Sequence, residues 1–171
     1  MRTNKAVQQQ ATTRRAARKI ADWGICEGAP VLTDQGMRPV EAIGLNDYVL
    51  TSVGLQRLRK RQQLNRVTHG VYIVAGSLGH RCIRRDTLLP AGQPVMLRDW
   101  RAQAFRGIAR ALVPVGELID GEYIRCLGQI PMTLYRLSFG TPGILHADGL
   151  ELGCASSGIS VGRVGSEEMN R

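Results

Sequence analysis

The chain has 171 residues, a formal net charge of +9 and a sequence pI near 10.1. That length suits one domain with a sizeable core. The charge favours acidic partners, an acidic protein or nucleic acid, over basic ones. No apolar run approaches a membrane span, and the basic N-terminus lacks the apolar segment of a signal peptide, so a cytoplasmic location is the default expectation.

Residues 1–23 form a basic arm. Arg2, Lys5, Arg14, Arg15, Arg18 and Lys19 stand against a single acid, Asp22. Thr13 is a suitable N-cap and Gly24 a suitable stop, so a helix is expected from about Thr13 to Trp23. Its apolar stripe of Ala16, Ala17, Ile20 and Ala21 is thin and needs a surface to dock on. Arg14, Arg15, Arg18 and Lys19 are candidates for binding an anionic partner.

From Val31 the pattern changes to short strands. V-L-T is followed by the turn D-Q-G, and M-R-P-V-E-A-I returns, with Pro39 suited to an edge. Y-V-L-T makes the next strand, sending Val49 and Leu50 inward, and Gly54 breaks it. Gln56 to Arg66 is the densest positive segment: Arg57, Arg59, Lys60, Arg61 and Arg66 without an acid. It lacks interleaved aromatic residues for base stacking, so an exposed strand or charged loop is expected. Arg57, Arg59, Lys60 and Arg61 join the arm as candidate contacts to an acidic protein or nucleic acid.

A strand is expected from Val71 to Ala75, then a glycine-punctuated loop. Leu88, Leu89, Val95, Met96 and Leu97 are buried-strand candidates on either side of Pro90-Ala91-Gly92. W-R-A-Q-A-F-R-G-I-A-R-A-L fits a helix or an irregular connection. Asp120-Gly121 and Asp148-Gly149 are hairpin signals, and M-T-L-Y-R-L-S-F alternates as a half-buried strand does. No internal repeat is evident. Closely spaced turns between short strands indicate one all-β domain over residues 24–153, with a Ser/Gly-rich flexible tail at 154–171. Cys26, Cys82, Cys126 and Cys154 have no zinc-ligand spacing, so reduced thiols, no metal and no cofactor are expected.

Four stretches in order resemble the bacterial branch of the Hint (Hedgehog/intein) superfamily: G-I-C-E-G-A-P-V-L-T and its continuation to Y-V-L-T, then V-Y-I-V-A-G-S-L-G-H-R-C-I-R-R-D, then R-R-D-T-L-L-P-A-G-Q-P-V-M-L-R-D-W, and last L-V-P-V-G-E-L-I-D-G-E-Y-I-R with the L-Y-R-L-S-F and I-L-H-A-D-G-L that follow it. The resemblance implies a twisted, pseudo-twofold β fold. It also implies autocatalytic backbone cleavage in competent members. There a Cys or Ser attacks the preceding carbonyl and a His protonates the departing amide nitrogen.

Carried onto this chain, the nucleophile position falls on Gly24 and the histidine position on Gln93. An amide cannot deliver a proton near neutral pH. Cys26, two residues on, is a candidate displaced nucleophile with the Ile25 carbonyl as its target; the competing reading is a small buried thiol. His80 and His146 are the candidate substitute acids. The expectation is a Hint-type module that does not cleave itself. Self-cleavage through Cys26 and a nucleic-acid-associated role are the alternatives.

Overall fold

A computed structural model of the chain describes residues 22–78 and 85–154. The expected helix at Thr13–Trp23, the cations Arg14, Arg15, Arg18 and Lys19, and His80 and Cys82 lie outside the described residues, Asp22 and Trp23 excepted.

The described residues form twelve strands, two 3-10 turns and one short helix. Strands β1 (Ile25–Cys26), β10 (Ile124–Ser138), β6 (Lys60–Ile73) and β7 (Thr87–Pro90) form one antiparallel sheet in that order. The second sheet holds β3 (Gly36–Pro39), β2 (Pro30–Thr33), β4 (Tyr48–Thr51), β11 (Gly143–Ala147), β12 (Leu150–Cys154), β8 (Pro94–Leu97) and β9 (Ala111–Pro114), with β5 (Gly54–Arg57) pairing onto β4. Val31, Val49, Val71, Ile73, Leu89, Val95, Val113, Leu145 and Leu152 meet in the main core. Each such side chain stabilises the fold by roughly 1.5–3 kcal/mol on full burial.

The glycine turns fall where the sequence places them. Asp148 and Gly149 have φ of 54° and 77° and close the β11–β12 hairpin through the Ala147–Leu150 pair. Both central residues at positive φ match the turn that a right-twisted two-residue hairpin requires. Pro39 ends β3, which is an edge strand as expected.

Several expectations need correction. Strands β6 and β10 are not short: they run 14 and 15 residues and pair along their length, interrupted by a bulge between Cys126 and Gln129. The strand expected at Val71–Ala75 is only the end of β6. Residues 60–63 are all exposed, so inside-outside alternation is lost where both faces meet water. Asp120-Gly121 does not join a hairpin, because β9 and β10 lie in different sheets. There Asp120 Oδ1 accepts from the backbone N–H of Glu122, Tyr123 and Ile124, turning the chain between sheets. Val49 enters the core but Leu50, pointing the other way, is only half-buried. Likewise Leu89, Val95 and Leu97 are buried, whereas Leu88 and Met96 are half-buried. The segment after Trp100 resolves into helix α1 (Trp100–Arg106). Asp99 caps it through the Arg101 N–H, and Gly107 at φ 71° ends it.

A structural repeat is also present that the sequence does not display. Hairpin β2–β3 begins and ends on the paired Pro30 and Pro39 and runs into a 3-10 turn at Val40–Ala42. Hairpin β8–β9 begins and ends on the paired Pro94 and Pro114 and runs into one at Val115–Leu118. In the first unit Val40 N–H donates to the Ala29 carbonyl; in the second Val115 N–H donates to the Gln93 carbonyl. The two units share register and prolines rather than a run of identical residues. A strand needs only alternation, so such symmetry leaves little trace in sequence.

Candidate functional site at the Trp23–Gly24 junction

The chain enters the described fold across β10. Ile25 pairs with Tyr135 and Cys26 with Leu134, while Glu27 N–H donates to the Thr133 carbonyl. This short ladder seats Gly24, which is buried at φ 149°. A Cβ there would lie 3.0 Å from Leu134 Cβ and 3.2 Å from the Tyr135 carbonyl oxygen. A side chain here would be strained by conformation and crowded by its neighbours, so glycine is favoured.

Gln93 reaches this point from the Pro90–Gly92 break between β7 and β8. Its N–H donates to the Pro90 carbonyl at 2.9 Å, which fixes the backbone and turns the side chain inward. The side chain is 1% exposed. Oε1 accepts from Gly24 N–H at 3.0 Å. Nε2 donates to the Pro94 carbonyl at 2.9 Å and to the Gly153 carbonyl at 3.0 Å. Two facing carbonyls need two donors, which assigns the NH2 group and leaves the oxygen toward Gly24.

The carbonyl of the same peptide bond is also held. Arg136 Nε donates to the Trp23 carbonyl at 2.9 Å, and its guanidinium lies 4.6 Å from the centroid of the Trp23 ring. Burial lowers the Arg136 pKa, Asp22 opposes that shift and Arg66 adds to it. Arg66 in turn lies 3.8 Å from Asp22. The Trp23–Gly24 peptide is thus gripped at its oxygen by a cation and at its nitrogen by an amide oxygen.

A cationic donor on a carbonyl is the kind of group that stabilises an oxyanion. Residue 24 carries no nucleophile. Gln93 presents a lone pair to the amide nitrogen's proton, so it cannot act as the acid that frees an amine.

The other sequence candidates are dispersed. Cys26 packs against the small cluster of Leu64, Met132 and Leu134. Burial, followed by the Asp148 carboxylate, pushes its thiol up to about 12, so it is a neutral thiol at neutral pH. The polar atoms of Gln93 bond to Gly24, Pro94 and Gly153, not to Cys26. Cys126 and Cys154 are also free, and burial pushes the Cys154 thiol up to about 11. His146 pairs across the hairpin with Glu151, and its neighbours Leu145 and Ala147 point into the core. Glu151 is itself held by two bonds from Arg98, at 2.7 and 2.9 Å.

The cations of the 57–61 segment divide. Arg57, Arg59 and Lys60 are exposed. Arg61 donates to the Glu41 and Ile43 carbonyls at 2.8 and 2.9 Å and lies over the Tyr135 ring. Among the described residues, no group of three or more His, Cys, Asp or Glu is placed to hold a metal ion, and no helix is long and apolar enough to cross a membrane.

Sequence reasoning missed Arg136 and Trp23. Arg136 alternates with apolar neighbours in a strand, as any solvated arginine does, and its partner lies 113 positions away.

A family model described as the Hint domain matches residues 24–157. The chain is similar in structure to a bacterial intein-like domain from Clostridium thermocellum, at 14% identity and a TM-score of 0.55, with 78% of this chain and 99% of that one covered. The gp41-1 intein is a further neighbour, at 14% identity and a TM-score of 0.49, with 77% and 98% covered. These structural likenesses concern the fold. No curated protein matches by sequence. With its twisted antiparallel sheets and a family match over most of its length, the chain belongs to the Hint domain family, and its fold is like that of the bacterial intein-like domain.

Proposed function

We propose that this Hint domain holds its Trp23–Gly24 junction without cleaving it and acts as a binding or structural module for an acidic partner. The observation that carries the reading is the bond from Gly24 N–H to Gln93 Oε1. Cleavage needs an attacking atom at the Trp23 carbonyl and a proton on the Gly24 nitrogen. The first is missing from residue 24 and the second has no donor in Gln93. The net charge of +9 supports an acidic partner.

The test is the intact mass of the purified full chain, incubated with and without dithiothreitol. One species at 18.7 kDa is expected in both conditions. A product lacking the first twenty-odd residues, abolished by Cys26→Ala, would establish self-cleavage and overturn the proposal. The pair Gly24→Cys and Gln93→His, made together, is expected to stay uncleaved, because the new Cβ would crowd Leu134 and Tyr135.

A further inference from the structure

The β6–β10 ribbon carries five basic residues, Lys60, Arg61, Arg66, Arg125 and Arg136, and no acid. Its two strands pair with each other, but among the described residues β6 has a second neighbouring strand only at Gly70–Ile73, where β7 joins it. The ladder fixes which backbone groups face outward. Thr133 points to β1, since its carbonyl accepts from Glu27 N–H. Even-numbered residues of β10 therefore bond to even-numbered residues of β6. Odd-numbered residues of β6 face away from β10. His69 agrees, because its carbonyl accepts from Ala91 N–H on that side.

It follows that the backbone groups of Gln63, Asn65 and Val67 face away from β10, and no strand among the described residues pairs with them; the Asn65 carbonyl accepts from the Arg66 guanidinium at 3.2 Å, a bond that an added strand would replace. The side chains are ordered too. Lys60 and Arg66 are even-numbered and share one face of the ribbon, while Val67, 66% exposed, lies on the other. Among the described residues Lys60 has no ion pair, and that of Arg66 is the 3.8 Å approach to Asp22.

We propose that the free edge of β6 at Gln63–Val67 takes up an extended acidic peptide as an added strand. The peptide's acids would alternate along one face, over Lys60 and Arg66, and its apolar residues would lie beside Val67. Backbone hydrogen bonds supply the attachment and the alternating side chains the selectivity. Charge separates this occupant from a second copy of the chain, which would set basic edge against basic edge. The aromatic platforms that single-stranded nucleic acid uses are missing from the segment. The proposal deepens the binding-module reading and rests on it.

The experiment is fluorescence anisotropy of the full chain with a labelled nine-residue peptide alternating Glu and Val, at 20 mM and 300 mM salt. Binding is expected at low salt and should weaken with added salt. N-methylation of alternate peptide residues removes strand hydrogen bonds while leaving charge intact, and should weaken binding at least about tenfold. The exposed pair Lys60→Glu with Arg66→Glu should weaken it similarly without changing the circular dichroism spectrum. Equal binding of the methylated peptide would reduce the effect to charge alone and overturn the strand. No binding at low salt, or capture of a 20-base-pair duplex with no capture of the peptide, would overturn it as well. Intact mass on the same sample keeps the two proposals apart. An unbroken chain that binds no peptide removes this inference and leaves the uncleaving junction standing.

Discussion

Gln93→Glu is the sharpest perturbation of the junction, because it keeps shape and volume while changing hydrogen-bond polarity and charge. The native amide makes three buried bonds: one accepted from Gly24 N–H and two donated, to the Pro94 and Gly153 carbonyls. A carboxylate preserves the first and loses both others. Each carbonyl left without a donor costs about 1–3 kcal/mol, so the change should cost about 2–6 kcal/mol at pH 7. Repulsion between the buried carboxylate and the two carbonyl oxygens acts in the same direction.

Acidification should reverse part of this loss. The neutral acid can donate to one carbonyl, so the folded state raises the pKa of the introduced carboxyl above its unfolded value of about 4.3. Such a group favours the folded state most below the unfolded pKa, and loses that contribution as pH rises through the folded one. The stability gap between variant and wild type should therefore narrow from pH 7 to pH 4. Urea unfolding at those two pH values measures it. A cost under about 1 kcal/mol at pH 7, against the two donors lost, would refute the claim that the amide is clamped by three partners.

Two other predictions concern the groups around Gln93. Raising the Cys26 pKa from 9.0 to about 12 cuts the thiolate fraction near pH 8 about a thousandfold; alkylation by iodoacetamide, followed by peptide mapping, should be slower at Cys26 in the native chain than in urea by a factor of that order, and equal rates would show that the thiol is accessible and ionised. Arg136→Ala removes both the donor to the Trp23 carbonyl and the cation over the indole; it should red-shift Trp23 emission and speed limited proteolysis beside Trp23 by about tenfold, as expected for losing a charge-assisted bond of about 1.5 kcal/mol or more, with Trp100→Phe as the background that isolates the signal, and unchanged cleavage kinetics would mean that Arg136 does not hold the junction.

The fold was legible in the sequence where one residue had to take an unusual backbone state. Asp148-Gly149 and the Gly36 turn, at φ 90° for Gly36, are local demands that residue type announces. The long ribbon was not legible, because Lys60 to Gln63 meet water on both sides and display no period. Of the junction, Gly24 and Gln93 were singled out only by the resemblance to the Hint family. What Gln93 touches was not, since Gly24 lies 69 positions away and Gly153 lies 60. The Arg136–Trp23 contact had no signal at all. A basic residue in an alternating strand reads the same whether water or a carbonyl receives it. Arg61 makes the same point: in sequence it is one of a run of cations, yet its guanidinium bonds to two backbone carbonyls.

On the proposed reading, Gly24 and Gln93 act on one another. Because residue 24 has no Cβ, the backbone can lie against Leu134 and Tyr135 at φ 149°. That position aims Gly24 N–H at Gln93 Oε1. A side chain at residue 24 must lift the strand or displace β10, because Leu134 Cβ and a backbone carbonyl, not a flexible side-chain tip, occupy the space. Either movement draws the N–H away from Gln93 and leaves a buried donor unpaired, at about 1–3 kcal/mol. The amide in turn suits this place because two carbonyls face its nitrogen. A neutral imidazole has one donor and one acceptor, so at most one of those carbonyls could be satisfied while Gly24 N–H was also bound. A histidine at residue 93 therefore disturbs the Gly153 or Pro94 contact, and a side chain at residue 24 disturbs the Gly24 contact. The arginine on the Trp23 carbonyl holds the peptide in place throughout. On the proposed reading, the same three contacts that would position a peptide bond for attack in this fold make the Trp23–Gly24 bond a fixed attachment point.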